Sequence, residues 1–206
     1  MSVRTLFPLI VAFLAGGLAG CDSDAAAPDR LPPLVPLAAG NAWTYRTVEF
    51  DRHGVPIDSV ERSPVREVVA DTVVADETWH RVAVFYEGTG DRGSDWWAVR
   101  EDGLWSDPGD LDGAGSLHLP YPAPPGATGA GRLGEKWTLA STDTTVTVPA
   151  GTFRCHHYRY RGAYMTYDDD FFYAPGVGRV LSVYHDYFNG KYERVREELT
   201  SYRVND

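Results

Sequence analysis

Cys155, His156 and His157 stand side by side in the segment TFRCHHYRYRG, and a thiol beside an imidazole is the pairing a cysteine nucleophile uses. The segment alternates like a strand, so Cys155 and His157 are expected on one face and His156 on the other. On that geometry the two histidines cannot hold one ion. The α-carbons of Cys155 and His157 would stay about 6.5 Å apart, too far for strand geometry alone to activate the thiol. Cys155 therefore reads as a small buried apolar residue. Carboxylates form three further groups. Asp110-Leu111-Asp112-Gly113 has the look of part of a calcium loop, but Pro108 and Leu119 stand where an EF-hand needs acidic ligands. A looser metal site on Asp107, Asp110 and Asp112 and a solvated acidic turn stay as alternatives. Asp168, Asp169 and Asp170 repel one another and read as a hairpin turn with outward charges, or as a seat for a cation. Glu197 and Glu198 face opposite sides of an extended chain and make no acid–base pair. The sequence has no Gly-x-Ser-x-Gly elbow, Ser-x-x-Lys pair, phosphate loop or dinucleotide fingerprint. It offers no catalytic set and calls for no cofactor.

Aromatic residues are the stronger signal. The chain has six tryptophans, twelve tyrosines and eight phenylalanines, more large rings than a small β-core requires. Trp96 and Trp97 are adjacent, so on a strand they cannot both enter one core. One of them must face solvent, a second layer, a ligand or a partner. Trp96, Trp97, Trp105 and Tyr121 are the candidate contacts to a hydrophobic or glycan ligand or to an envelope protein. Covering of the rings by the long link at 107–134 is the alternative.

The remaining cysteine, Cys21, closes the run MSVRTLFPLIVAFLAGGLAGC. One positive charge, Arg4, precedes an apolar stretch too short to span a bilayer, and small residues follow. Gly16, Gly17 and Gly20 each cost a helix about 1 kcal/mol, which argues against a buried N-terminal helix. Leu18-Ala19-Gly20-Cys21 resembles the lipobox of bacterial lipoproteins. That resemblance implies a signal peptide over 1–20, lipid on the Cys21 thiol, and attachment to a membrane through the lipid. Asp22 matches the residue that in enteric bacteria retains lipoproteins in the inner membrane; other bacteria do not follow that rule, and the sequence names neither membrane. Residues 21–36 are expected to be the lipidated cysteine and a proline-rich tether reaching about 20 Å on average. With Cys21 lipidated, Cys155 has no disulfide partner within the chain.

These features must be positioned by strands. DG at 102–103, PAG at 149–151 and NG at 189–190 separate runs rich in Val, Tyr, Phe, Trp and Thr, the pattern of hairpins. In TWHRVAVFYE, Trp79, Arg81, Ala83 and Phe85 share one face, and His80, Val82, Val84 and Tyr86 the other. The final arm carries enough charge to be partly helical on pattern alone, but its Tyr and Val content favours strand. Gly40 to Thr44 resembles Gly134 to Thr138. Thr78-Trp79 corresponds to Thr152-Phe153, and Asp95-Trp96-Trp97 to Asp170-Phe171-Phe172. Two related meanders with an extra hairpin in the first half would account for this; chance similarity among short aromatic motifs is the alternative. The expected fold is mainly β: about ten antiparallel strands in a strongly curved sheet or open barrel, forming a single domain over 37–206. The link at 107–134 is expected to be a long loop, with a short edge strand at Leu117–Leu119. A formal net charge of −10 argues against a nucleic-acid partner.

VTVPAGTFRC followed by FFYAPGVGRVLS resembles a recurrent pair in uncharacterised β-rich envelope lipoproteins of bacteria. The resemblance covers Val146 to Ser182, and Gly40 to Thr44 more loosely. It implies a strongly curved antiparallel sheet, similar in style to lipoprotein-carrier folds, and brings no catalytic residues with it. Taken together, the sequence points to a lipid-anchored, non-catalytic binding or structural module of the cell envelope, facing the periplasm or the cell exterior. The alternatives are an assembly lipoprotein docking on another envelope protein and, less favoured, a hydrolase.

Overall fold

The computed structural model describes residues 31–51, 53–57, 63–86, 90–107, 111, 115–130, 134–163, 168–185 and 194–205. Cys21, the signal peptide, the Asn189-Gly190 turn, Asp110 and Asp112 lie outside these. The described residues form thirteen strands and no helix: β1 (Ala42–Phe50), β2 (Pro56–Ile57), β3 (Val65–Val74), β4 (Glu77–Tyr86), β5 (Gly90–Arg100), β6 (Gly103–Asp107), β7 (Ser116–Pro120), β8 (Thr128–Ala130), β9 (Lys136–Val148), β10 (Gly151–Arg161), β11 (Asp169–Ala174), β12 (Gly178–Tyr184) and β13 (Arg194–Arg203). The mainly β expectation holds, with more strands than the ten read from sequence. The described part of the charged final arm is strand over Arg194–Arg203.

Apart from β2, which pairs with β1, the strands follow one hydrogen-bonded path: β7-β6-β5-β4-β3-β1-β13-β12-β11-β10-β9-β8. Every pairing along it is antiparallel. The path is a meander whose first and last strands, β1 and β13, pair with each other. Its two free edges, β7 and β8, are consecutive in the chain. They meet closely: a Cβ on Gly129 of β8 would lie 2.6 Å from the Leu117 carbonyl oxygen and 2.8 Å from that of His118 in β7. The sheet thereby curls into a nearly closed barrel, the arrangement that removes exposed strand edges.

Local chemistry sets the turns. Pro149-Ala150 joins β9 to β10, with Val148 opposite Gly151. Pro175 opens the β11–β12 turn, where Gly176 (φ +79°) and Gly178 (φ +105°) take left-handed conformations that cost a glycine little. Gly178 also leaves room for Trp43, whose indole Nε1 donates to the Val177 carbonyl. The expected elements of the weak repeat fall on comparable strands: Trp79 and Phe153 just beyond hairpin turns, Trp96-Trp97 on β5 and Phe171-Phe172 on β11. The extra elements of the first half are β2 and β3, between Trp43 and Trp79.

The interior holds Trp43, Tyr45, Val68, Val82, Leu104, Leu119, Leu139, Tyr158, Val180 and Leu199. The chain N-terminal to β1 joins it, which corrects the tether boundary. Leu34, Val35 and Leu37 are only 3%, 3% and 6% exposed. The Pro32 carbonyl accepts from the Tyr121 hydroxyl at 2.9 Å, Pro33 from the Gly176 amide at 2.8 Å, and Pro36 from the Asn41 side chain at 3.0 Å. Prolines hold this strap extended and leave its carbonyls free, so the barrel supplies donors while the leucines and valine bury. The folded body therefore starts by Pro32, and only residues before it can serve as tether.

A second correction concerns Cys155 and His157. They do not share a face. Register shifts against β9 at Cys155/His157 and His157/Tyr158 change the phase of alternation, as β-bulges do. Cys155 and Tyr158 both enter the core, each 0% exposed. His157 stacks on Phe172, centroids 4.4 Å apart, with Nε2 2.7 Å from Asp170 Oδ1. Beyond this bend the β9–β10 arm reaches across to β13, where the Ala150 amide donates to the Leu199 carbonyl at 3.0 Å.

Among its described residues, the 107–134 link carries two short strands. It contains β7, which includes the expected Leu117–Leu119 strand, and β8. Gly115 within it lies against Trp79: a Cβ there would meet the ring at 2.5 Å. Trp79, Ala83 and Ala98 are 0–1% exposed yet stand apart from the main core, so the link covers a small second core on the other face of β4 and β5.

Candidate functional site

The ladder registers place one row of side chains across six strands: Leu139, Tyr158, Phe171, Ser182, Glu197 and Thr47. Leu139 and Tyr158 are fully buried, so the row faces the barrel interior, and Glu197 comes with it. The reason is parity: Val195, Glu197 and Leu199 of β13 alternate inward, each 0–4% exposed. Glu198 takes the other face, between Arg46 and Arg196.

A buried carboxylate needs a counter-charge, and two arginines provide it. The Arg179 guanidinium donates to Glu197 Oε2, while Arg66 of β3 stands 4.0 Å from the same oxygen. The Tyr184 hydroxyl donates to Oε1 at 3.3 Å and the Ser182 hydroxyl to Oε2 at 3.4 Å. Arg179 lies over the Tyr45 ring, 4.7 Å from its centroid, and the Tyr45 hydroxyl donates to the Arg179 carbonyl at 3.0 Å. Burial alone would raise the Glu197 carboxyl, but Arg179 and Arg66 outweigh it and hold it below the ordinary range. Burial would lower Arg179, but Glu197 and the surrounding phenols raise it. Burial lifts the Tyr45 phenol and pushes Tyr173 up to about 12. Each of these groups thus keeps one charge state through the neutral range. That is the character of a binding or structural layer, since a proton shuttle needs a group poised near ambient pH. The Nε–H groups of Arg66 and Arg179 are buried and meet no acceptor.

Next to this layer lies a wall of rings. Trp97, His118, Trp137, Tyr160 and Phe171 follow one another with centroids 6.2 Å (Trp97–His118), 4.4 Å (His118–Trp137), 4.8 Å (Trp137–Tyr160) and 5.0 Å (Trp137–Phe171) apart. Burial pushes His118 down to about 4, so its imidazole is neutral and behaves as one more ring. Trp97 and Trp137 are buried; His118, Tyr160, Phe171 and Tyr184 keep part of their surface open.

The four aromatic candidates from sequence do not converge. Trp97 belongs to the interior wall. Trp96 is half-buried on the opposite face. Trp105 is half-buried on the face it shares with Trp96; its Nε1 donates to Asp102 at 2.8 Å, and the Arg100 guanidinium lies 3.9 Å from its centroid. Arg100 is itself held by both oxygens of Glu77, at 2.7 and 2.8 Å. Tyr121 packs edge-on against His156 and ties down the N-terminal strap. Among the acidic candidates, Asp107 is fully buried at the end of β6. Asp168 accepts from Arg161 at 2.6 Å, Asp169 lies 2.8 Å from His185 Nδ1, and Asp170 pairs with His157. The three adjacent carboxylates therefore point to three separate partners. Among the described residues no group of three or more His, Cys, Asp or Glu side chains could hold a metal ion. Burial pushes the Cys155 thiol up to about 12, which removes it as a nucleophile at neutral pH. Arg66, Arg179, Glu197 and Trp137 were not singled out as site residues from the sequence. One signal was available: Glu197 occupies the inward parity of β13, where an apolar residue is the rule.

No known protein family matches this chain, and no curated protein sequence is similar to it. Two solved structures resemble it. One, from Bacteroides fragilis, is described as a protein inferred to be exported, with a YmcC-like fold: 14% identity, 84% of this chain and 99% of that one, TM-score 0.49. The other, from Parabacteroides distasonis, is described as a protein inferred to be a lipoprotein: 14% identity, 84% and 99% coverage, TM-score 0.47. At these values the likeness carries no functional information.

Proposed function

We propose that this chain is an extracytoplasmic lipoprotein, held to a membrane by lipid on Cys21, whose barrel is a non-catalytic module that cups a hydrophobic or glycan ligand. The observation that carries the cup is the interior wall of partly open rings beside a buried polar layer. Closure does not require such a polar layer, since buried ionic groups add little stability over apolar ones of similar size. The lipobox-like LAGC carries the anchor, and the net charge of −10 speaks against nucleic acid. Native mass spectrometry of the chain released from cell membranes tests the cup: a co-purifying small molecule is expected, and a ligand-free barrel that binds no added lipid or glycan overturns it. Labelling with a clickable fatty acid, lost in Cys21→Ser, tests the anchor.

The outer face favours a second reading, an assembly lipoprotein docking on another envelope protein. Trp96 and Trp105 are diagonal neighbours across β5 and β6, half-buried, with Arg100 stacked between Trp105 and Trp79. A photo-crosslinking residue at position 105 would capture one envelope protein reproducibly if this reading holds, and yield no discrete adduct if it fails.

A further inference from the structure

We infer that the barrel interior takes an anionic amphiphile, its carboxylate or phosphate group bound at Arg66 and its apolar body laid along the aromatic wall at its partly open rings, His118, Tyr160 and Phe171. This rests on the reading of the interior as a ligand cup and names what the cup selects. Arg179 already neutralises Glu197 and is held by it. Arg66 is the surplus cation of the layer. Among the described residues its one ion contact is the 4.0 Å approach to Glu197, and its buried Nε–H meets no acceptor. A guanidinium donor left without an acceptor away from water costs stability. An acidic ligand group offers the planar, two-point partner that guanidinium geometry fits. The side chain is 24% exposed, so the group can be reached without unfolding the layer. The other carboxylates of the inward parity are Asp71, paired with His80, Asp169, opposite Tyr160 and paired with His185, Asp95, opposite Val82, and Glu49, two residues along β1 from Thr47. The Arg66 charge acts on Asp95, but none of the four forms an ion pair with it, so its guanidinium keeps a free hydrogen-bonding edge.

The wall selects a flexible apolar body over a sugar. Its rings meet at interplanar angles of 31° to 58° from Trp97 through His118 and Trp137 to Phe171. The two largest of them, Trp97 and Trp137, are also buried, so the wall lacks the broad free face that sugar stacking needs. An acyl chain needs only apolar surface.

The test uses the chain carrying Cys21→Ser, with tryptophan fluorescence and calorimetry as readouts. The probes are oleate, oleyl alcohol, oleyl phosphate, acetate and inorganic phosphate, so that the three amphiphiles share one chain. Oleate or oleyl phosphate is expected to bind at least about tenfold tighter than oleyl alcohol, and the tighter of the two acids tells whether the natural group is a carboxylate or a phosphate. Acetate and inorganic phosphate should not bind measurably. Arg66→Gln should remove the preference for the acids while leaving oleyl alcohol unchanged, and Arg154→Gln, an exposed arginine paired with Asp143, should change nothing. Should Arg66→Gln fail to fold, Arg66→Lys keeps the charge, loses the fork and should weaken acid binding by a smaller factor. Equal affinity for oleate and its alcohol, or acid binding insensitive to Arg66, overturns the inference and leaves the cup standing. Binding of no amphiphile at all removes both.

Discussion

Removing the Glu197 carboxylate would leave Arg179 buried without its counter-charge. Glu197→Ala is therefore expected to lower stability by about 3–5 kcal/mol, whereas the paired change Arg179→Met with Glu197→Leu should recover most of it. Urea denaturation of the three proteins checks this. Two acid-sensitive groups of the interior, His118 and Glu197, act mainly in different pH windows. Burial takes His118 from 6.5 to about 4, so between those values the unfolded chain binds a proton that the folded one refuses. Stability from His118 is complete above 6.5 and lost as pH falls toward 4. Glu197, held below its ordinary 4.5 by the arginines against the opposing effect of burial, contributes above 4.5 and loses its share at lower pH. His118→Phe should thus reduce the decline in melting temperature between pH 6.5 and 4.5, leaving the share of His156, which burial also lowers, and the decline below 4.5 in place. An unchanged profile would show that His118 is protonated in the folded state. The site was only partly readable at this scale. Trp97 was found because two adjacent tryptophans cannot share a face. Arg66 and Arg179 were not, because an arginine on a strand is ordinarily a solvent residue and only the curling of the sheet puts these two inside.

The strands and most turns were readable because hairpin chemistry is local: DG, PAG and APGVG mark reversals whatever the rest of the chain does. Two errors came from non-local causes. The segment LPPLVPL has the composition of a linker, and nothing in composition tells whether an extended segment docks; its docking depends on donors from Tyr121, Gly176 and Asn41, far off in sequence or set by the fold. Leu34→Ala is expected to cost about 2–5 kcal/mol, the range for a buried leucine, measured by chemical denaturation; a change within 0.5 kcal/mol would mean the strap is dispensable. The shared face expected for Cys155 and His157 failed because a bulge depends on the partner strand. The β3–β4 reversal offers a gain. Its two central residues, Ala75 (φ 51°) and Asp76 (φ 64°), are both left-handed, the geometry that Asn-Gly adopts most easily. Replacing Ala75-Asp76 by Asn-Gly should stabilise the chain by about 1 kcal/mol, seen as a melting temperature higher by about 2–4 °C.

At the scale of the whole molecule, closure decides whether the interior exists. Alternation and turn spacing predict a curved sheet, but closure depends on the two free edges meeting, and no local pattern encodes that. The seam is where β8 lies on β7, with Gly129 facing the carbonyl oxygens of Leu117 and His118. Those oxygens belong to backbone, so they cannot swing aside as a side chain would. Gly129→Val should force the strands apart, at a cost of about 1–3 kcal/mol if the barrel adjusts. The consequence is specific in place. His118 is the ring that joins Trp97 to Trp137, so displacement of β7 should break the aromatic wall while β1 and β13, across the barrel, stay paired. Hydrogen exchange should then quicken in residues 116–120 and 128–130 and not in 42–50, and tryptophan emission should shift to the red. Uniformly faster exchange would mean that the barrel opens only as one unit. An unchanged pattern would mean that the seam tolerates a branched side chain and that closure is held elsewhere.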